Sequence, residues 1–234
     1  MRVQDQPAYI LHHRAFRDTS QILDIITPDH GRLSLMSRGS RATKSRLKST
    51  LQAFRPLIIS WSGKGEMPTL ISAESQAVKS LTLSGKALPS AFYINELIIK
   101  LLHKHDVNER LYYLYESIIR LLSDKYEIEP VLRSFEKQLL EELGFGLNLS
   151  VDSQTGNAIL ENEEYAYYLE QGPVNLSSVY DESYVLKLSG KSLLDLDANT
   201  LNSTQSLKDA KRLMRVILNY YLDGRAIKSR ELFR

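Results

Sequence analysis

The spacing of apolar residues changes once along this chain, and that change limits the possible folds more than any other feature of the sequence. Within residues 1–80, the stretch Arg32–Leu35 alternates polar and apolar residues, as a half-buried β-strand does. From Leu88 onward the apolar residues follow a helical period, and those within 94–102 fall at positions i, i+3, i+4, i+7 and i+8. The sequence therefore predicts an α+β protein in which the strands come first.

The predicted strands are short and are separated by turns. Pro28–Gly31 and Ser62–Gly65 both contain the residues that favour tight turns. Five short strands within about seventy residues predict a small closed barrel, and the OB-fold is a common five-stranded barrel. The predicted strands are Ala8–His13, Gln21–Thr27, Arg32–Ser37, Leu57–Trp61 and Thr69–Ala73.

Four amphipathic segments predict the helices, at 94–102, 111–122, 130–143 and 206–222. We expect the first three to pack as a bundle. The pattern within 147–205 is weaker, and a hairpin is predicted around residues 165–173. The predicted domains are an OB-fold DNA-binding domain at 1–80 and a mainly α-helical domain at 81–234. The second domain carries a small irregular insertion with a hairpin around 150–190.

Several functional classes are disfavoured by what the sequence lacks. The chain has no cysteine, which excludes disulfides, thiolate zinc sites, iron–sulfur clusters and cysteine nucleophiles. The histidines at 12, 13, 103 and 105 have no third metal ligand suggested nearby. No apolar run approaches the roughly 18 residues of a membrane span, and the N-terminus is polar. We expect no metal, no cofactor, no membrane partner and a cytoplasmic location.

No catalytic motif is present in the sequence. Ser-Gly-Lys occurs at 62–64, 84–86 and 189–191, but never after the first glycine of a phosphate-binding loop. Neither a G-x-S-x-G nor an H-E-x-x-H motif occurs. We therefore predict that the protein is not an enzyme. An OB-fold enzyme acting on nucleic acid is the alternative.

Charge is distributed unevenly along the chain. Residues 1–80 contain 12 Lys/Arg and 6 Asp/Glu, residues 81–205 contain 10 and 19, and residues 206–234 contain 8 and 3. Basic ends favour a polyanionic partner, although two solvated faces would also explain the pattern. The uneven charge therefore bears on the class of binding partner, a polyanion, and does not indicate a fold.

The strongest functional signal is the basic segment between the third and fourth strands. Between His30 and Gly65 there are eight Lys/Arg and no Asp/Glu. Cations free of competing carboxylates can neutralise phosphates, so a mobile basic loop here predicts nucleic-acid binding, with an acidic protein as the alternative partner. Aromatics of the barrel that could stack on bases are Tyr9, Phe16, Phe54 and Trp61. The candidate DNA-binding residues are Arg14, Arg32, Arg38, Arg41, Lys44, Arg46, Lys48 and Lys64.

Five stretches of the chain, in order and at their spacing, resemble RecO, a family of bacterial recombination mediators. The resemblance runs from about Pro7 to Arg234. The stretches are GRLSLMSRGSRATKSRLKSTLQAFRPL at 31–57, GKGEMPTLISAE at 63–74, YINELIIKLL at 93–102, LRSFEKQLLEELGFGLNL at 132–149 and KSRELFR at 228–234.

The resemblance implies an OB-fold followed by a helical domain. It also implies binding to single- and double-stranded DNA, annealing of complementary strands and, with RecR, help for RecA in replacing single-stranded DNA-binding protein (SSB). Such a protein would act on the bacterial nucleoid. Some family members hold zinc with four cysteines in the region matching 150–175, where this chain has none. An adaptor for acidic proteins without DNA contact remains the alternative.

The resemblance further implies a site for the acidic C-terminal tail of SSB in the helical domain. Such a peptide needs a cation for its carboxylates beside an apolar pocket. Arg133 resembles the family position, but pairing with Glu129 or Glu136 on its own helix is the alternative. The candidate residues for this partner are Leu132, Arg133, Phe135, Arg212 and Arg215.

Overall fold

A computed structural model describes residues 2–76, 81–124, 126–179, 181 and 183–233. The chain divides into two compact units. The N-terminal unit comprises the described residues up to 124 together with 227–233, and the C-terminal unit comprises 126–226. The compact units thus divide later in the chain than the change from strands to helices.

Five strands form a closed barrel in the order β1-β2-β3-β5-β4. A short helix, α1 (Leu47–Thr50), lies between β3 and β4. Strands β3 and β5 close the barrel with a parallel pairing at Met36 and Thr69. This is the OB-fold that the strand pattern predicted. The strands are β1 (Arg2–Phe16), β2 (Ser20–Thr27), β3 (Gly31–Ser37), β4 (Leu57–Ser62) and β5 (Thr69–Ser75).

Strand β1 is longer than the sequence pattern predicted. Its first half, Arg2–Ala8, pairs with β4, and its second half, Tyr9–Phe16, pairs with β2. Because β1 pairs with β4 along one half and with β2 along the other, the polar residues at both of its ends become part of the sheet. The apolar pattern marks only the middle of the strand, where side chains enter the core.

The barrel core is filled by aliphatic side chains and the single tryptophan. These residues alternate along the strands, because successive side chains of a strand point to opposite faces of the sheet. Burial of such a side chain contributes about 1.5–3 kcal/mol. The buried core residues are Val3, Ala8, Ile10, Leu23, Ile25, Leu33, Leu35, Leu51, Leu57, Ile59, Trp61 and Leu70.

Two helices of the N-terminal unit, α2 (Ala87–Leu101) and α3 (Glu109–Ser123), cover part of the outer face of the barrel. The amide Nδ2 of Asn95 donates to the Leu11 carbonyl over 2.7 Å. The hydroxyl of Tyr9 donates to Glu116 over 3.1 Å, and its ring is fully buried. Helix packing has therefore removed this part of the barrel from solvent.

The loop after α2 approaches the backbone of β3 closely. The amide of His105 donates to the Arg32 carbonyl over 2.8 Å. A Cβ placed on Gly31, whose φ is +61°, would lie only 2.0 Å from the Asp106 carbonyl oxygen. Only glycine fits this backbone conformation and this contact.

The last described residues return to the N-terminal unit. A 3-10 segment, Lys228–Phe233, packs against α2. The carboxylate of Glu96 accepts hydrogen bonds from the backbone amides of Lys228 (2.9 Å) and Ser229 (2.7 Å). The segment is thus held by its backbone.

The C-terminal unit combines three helices with a small sheet. Helix α4 (Ile128–Glu142) packs against α6 (Thr204–Tyr221), and α5 (Gly190–Asp197) also contacts α6. The sheet has the order β7-β6-β8. It confirms the predicted hairpin, whereas the expectation of one bundle of three successive helices is wrong, because α4 pairs with α6. The strands are β6 (Glu164–Tyr168), β7 (Gly172–Asn175) and β8 (Leu186–Ser189).

A buried carboxylate organises the loop between α4 and β6. Asp152 is 3% exposed and accepts backbone hydrogen bonds from Gln154, Thr155 and Asn175 over 2.7–2.9 Å. Burial raises the pKa of this carboxyl, but the amide donors outweigh it, and the pKa lies below its ordinary value. Here hydrogen bonds to an ionised group tie the loop to the sheet.

Candidate nucleic-acid interface

Residues 38–55, which we call the basic loop, form a series of turns together with the short helix α1. The amide of Arg41 donates to the Thr19 carbonyl over 2.8 Å, and its guanidinium donates to the Arg17 carbonyl over 3.1 Å. Ser40 is buried and donates to the Ser37 carbonyl. The sequence predicted a mobile loop, whereas the structure anchors its first residues to the β1–β2 turn.

The β4–β5 turn lies beside the start of the basic loop. The amide of Met36, near the end of β3, donates to the Pro68 carbonyl over 2.8 Å. Three connections therefore meet at one end of the barrel: the β1–β2 turn with Arg17, the basic loop with Arg38 and Arg41, and the β4–β5 turn with Lys64. In OB-folds the β1–β2 and β4–β5 loops flank the oligonucleotide-binding face.

Most of the predicted DNA-binding side chains are exposed. Within the described ranges, no Asp or Glu forms a salt bridge with any of them, and the same holds for Arg17 and Arg55, which the candidate set omitted. Cations in this state are available to neutralise phosphates. The exposed members are Arg14, Arg38, Arg41, Lys44, Arg46, Lys48 and Lys64.

Arg17 was missed because the sequence does not show that the β1–β2 turn lies beside the basic loop. It becomes part of the cluster only through the hydrogen bonds between the β1–β2 turn and Arg41. Its guanidinium carbon also lies 5.4 Å from the centre of the Phe16 ring. Arg55 was left out of the candidate set, yet it is exposed at the end of the basic loop.

Arg32 differs from the other candidates because its side chain is half-buried. Its Nε donates to the Leu102 carbonyl over 2.9 Å, which joins β3 to the end of α2. Burial lowers the pKa of its guanidinium, and Asp24 opposes that shift. The structure thus places Arg32 beneath the helices, apart from the exposed cations.

The barrel aromatics are mostly inaccessible. Tyr9, Phe54 and Trp61 are 0%, 8% and 4% exposed, and only Phe16 is half-buried. Tyr9 lies under α3, while Trp61 belongs to the barrel core. A base could not stack on the three buried rings without moving them.

The candidate residues for the acidic tail fall into two groups in the C-terminal unit. Leu132, Arg133 and Phe135 are 6%, 8% and 0% exposed. The guanidinium of Arg133 lies 2.7 Å from the carboxylate of Glu136, which is the pairing weighed as the alternative. Arg212 and Arg215 are exposed on α6, and Arg212 lies 3.4 Å from Asp209.

Metal and membrane sites were also searched in the part of the chain that the structure describes. It contains no group of three or more His, Cys, Asp or Glu placed to hold a metal ion. None of its helices is both long and apolar enough to cross a membrane.

The chain matches two family models and several full-length relatives. Residues 1–78 match the model for the N-terminal part of recombination protein O, and residues 83–231 match the model for its C-terminal part. DNA repair protein RecO of Dechloromonas aromatica is 42% identical over 237 residues, covering 100% of this chain and 96% of the relative. RecO of Azoarcus sp. is 40% identical over 234 residues, with the same coverage. RecO of Coxiella burnetii (strain CbuG_Q212) is 42% identical over 231 residues, covering 99% of this chain and 98% of the relative. The chain therefore belongs to the RecO family of DNA repair and recombination proteins.

Proposed function

We propose that this protein is a non-enzymatic recombination mediator that binds single- and double-stranded DNA and anneals complementary strands. In this proposal it acts with RecR in the bacterial cytoplasm, on the nucleoid, to help RecA load on DNA coated by SSB. The observation that carries the proposal is the convergence at one end of the barrel of exposed cations from three connections, none of which forms a salt bridge with a described Asp or Glu. These are the positions at which OB-folds bind oligonucleotides.

Phosphate contacts explain how such a surface could act without reading sequence. Each cation that neutralises a phosphate releases counterions, which supplies affinity for any nucleic acid. Phosphate contacts position a protein on DNA and carry no direct information about bases. Two strands held on one cationic surface would repel each other less, which favours annealing without nucleotide hydrolysis.

For the acidic tail of SSB, we assign the first contact to the exposed arginines of α6. Arg212 and Arg215 project from the C-terminal unit into solvent, whereas Leu132 and Phe135 are interior. Lys211 on the same helix already pairs with Glu129 over 2.8 Å. A direct role for Arg133 in tail binding stays a prediction, and its burial with Glu136 favours a structural role.

The test of DNA binding compares the wild type with a variant in which Arg38, Arg41, Lys44 and Arg46 are replaced by Ala. Each lost phosphate contact should lower the slope of log affinity against log salt by about 0.7 for single strands. The slope should therefore fall by up to about 2.8, and annealing should slow. Thermal stability should change by no more than about 0.5 kcal/mol, because the exposed side chains bury little apolar area.

A charge-matched control replaces four exposed cations outside the basic loop by Ala, at Lys104, Arg110, Lys187 and Lys228. This control has the same net charge as the basic-loop variant but should keep the salt slope of the wild type. Equal slopes in the two variants would move the DNA site off the basic loop. A wild type that does not retain DNA would favour the adaptor, and DNA cleavage or ATP hydrolysis with Mg²⁺ would favour an enzyme.

A further inference from the structure

Phe92 is an exposed aromatic ring at the end of the basic loop. It lies on α2 and is 41% exposed, and its ring centre is 5.0 Å from that of Phe54 in an edge-to-face arrangement. Phe54 itself is 8% exposed, so it supports Phe92 from below while Phe92 presents its ring to solvent. Leu88, one turn earlier on the same face of α2, is 39% exposed.

The basic loop connects the cationic end of the barrel to this ring. It starts beside the β4–β5 turn and ends near Pro56, whose carbonyl accepts the amide of Gln76 just after β5. The two ends of the loop are therefore separated by the length of β5, which for seven residues is about 20 Å. Arg55, exposed at the far end, directly follows Phe54 in the chain.

We propose that Phe92 is a stacking platform for a base of single-stranded nucleic acid whose phosphates follow the basic loop. The inference rests on the proposed DNA binding and assigns a strand preference to the same surface. Cationic grooves with aromatic platforms are how OB-folds hold single strands. The three barrel aromatics that are buried cannot serve and Phe16 is half-buried, whereas Phe92 presents a more exposed ring from outside the barrel.

The charge around Phe92 favours a nucleic acid over a protein as the partner that binds this ring. The basic loop, residues 38–55, which leads to Phe92, carries six cations and no acid. Tyr113 on α3 is equally prominent, at 51% exposure, but two of its helical neighbours, Glu109 and Glu116, are acidic and only Arg110 is basic. Phe92 has one acidic helical neighbour, Glu96, whose carboxylate is occupied by the amides of the 228–233 segment. A phosphate backbone would favour the surroundings of Phe92 and avoid those of Tyr113, so Tyr113 is a matched control.

The test uses the full chain, a labelled 16-nucleotide oligothymidine, a duplex of the same length and an oligomer of abasic nucleotides. Stacking on one base is lost in Phe92→Ala, so its affinity for oligothymidine should fall at least about fivefold. The salt slope should not change, because no phosphate contact is removed. The affinity of Phe92→Ala for the duplex and for the abasic oligomer should equal that of the wild type. The control variant Tyr113→Ala should bind every substrate with wild-type affinity.

Two further variants separate stacking from packing. Phe92→Leu keeps an apolar side chain over Phe54 but has no ring. It should therefore fold normally and bind oligothymidine with the same reduced affinity as Phe92→Ala. Phe92→Trp should retain affinity, and its fluorescence should be quenched by bound bases against a constant background from the buried Trp61.

The outcomes distinguish failure of this inference from failure of the proposed function. A wild type that binds none of the substrates would overturn both. Wild-type affinity for oligothymidine in Phe92→Ala or Phe92→Leu, with DNA binding intact, would overturn the stacking role alone. If Phe92→Ala lost as much affinity for the abasic oligomer as for oligothymidine, the stacking role would also be overturned. If Phe92→Ala lost affinity for an acidic peptide but not for DNA, the ring would be assigned to a protein partner instead.

Discussion

Arg133 and Glu136 form a buried ion pair on α4 whose disruption should destabilise the C-terminal unit. The two charged groups are 2.7 Å apart, and their side chains are 10% and 0% exposed. Desolvation of each charge costs several kcal/mol, and the attraction offsets this cost only while both partners are present. Arg133→Ala would leave a buried carboxylate without its cation.

The expected loss is about 3–5 kcal/mol, the range for removing one partner of a buried pair. Arg212→Ala is the control, because Arg212 is 56% exposed and its partner Asp209 keeps hydrogen bonds from Ser192 and Gln205. Loss of such an exposed partner should cost about 0–1 kcal/mol. Replacing both Arg133 and Glu136 by Met should restore much of the stability, since apolar residues can fill a buried pair's site.

Urea unfolding followed by far-ultraviolet circular dichroism measures the effect. The fluorescence of Trp61, the single tryptophan, reports on the barrel. The barrel transition that it follows should occur at the same urea concentration as in the wild type. A stability of Arg133→Ala within about 0.5 kcal/mol of the wild type would refute the reasoning, because that is the range of a surface substitution. If that stable variant also lost affinity for a labelled SSB tail peptide, Arg133 would belong to the partner site.

Two more predictions concern carboxylates that accept backbone amides. Asp152→Asn should lower the free energy of unfolding by about 1.5–3 kcal/mol, measured by urea titration at pH 7. Because the pKa of Asp152 is lower in the folded state, its contribution is present above the unfolded pKa and is lost as the pH falls below about 4, so the variant should show a weaker acid dependence. A variant with the wild-type acid profile would contradict this. Glu96→Gln should release the amides of Lys228 and Ser229 to hydrogen exchange at least about fivefold faster, because each bond to a charged group contributes about 1.5 kcal/mol or more. Glu109→Gln, exposed on α3, is its control, and equal exchange in both variants would show that Glu96 does not hold the segment.

The local elements of this protein follow from its sequence, because the spacing of apolar residues reflects the geometry of a strand or a helix. The alternation around Arg32–Leu35 correctly predicted β3 and, with its neighbours, the barrel. The amphipathic segment 130–143 predicted α4 to within two residues at each end. The run of cations at 38–48 could likewise be found from the sequence, since it depends only on which residues follow one another.

Tertiary structure alone decided which of the candidate side chains are accessible, because accessibility depends on faces that meet across long distances in sequence. Arg32 was removed from the exposed set by the carbonyl of Leu102, seventy residues away. Tyr9 was buried by Glu116 and the ring of Tyr115, both on α3. Phe92, which no sequence pattern singled out, gained its position against Phe54 only because α2 packs its neighbouring residues inward against the barrel and leaves this ring outside.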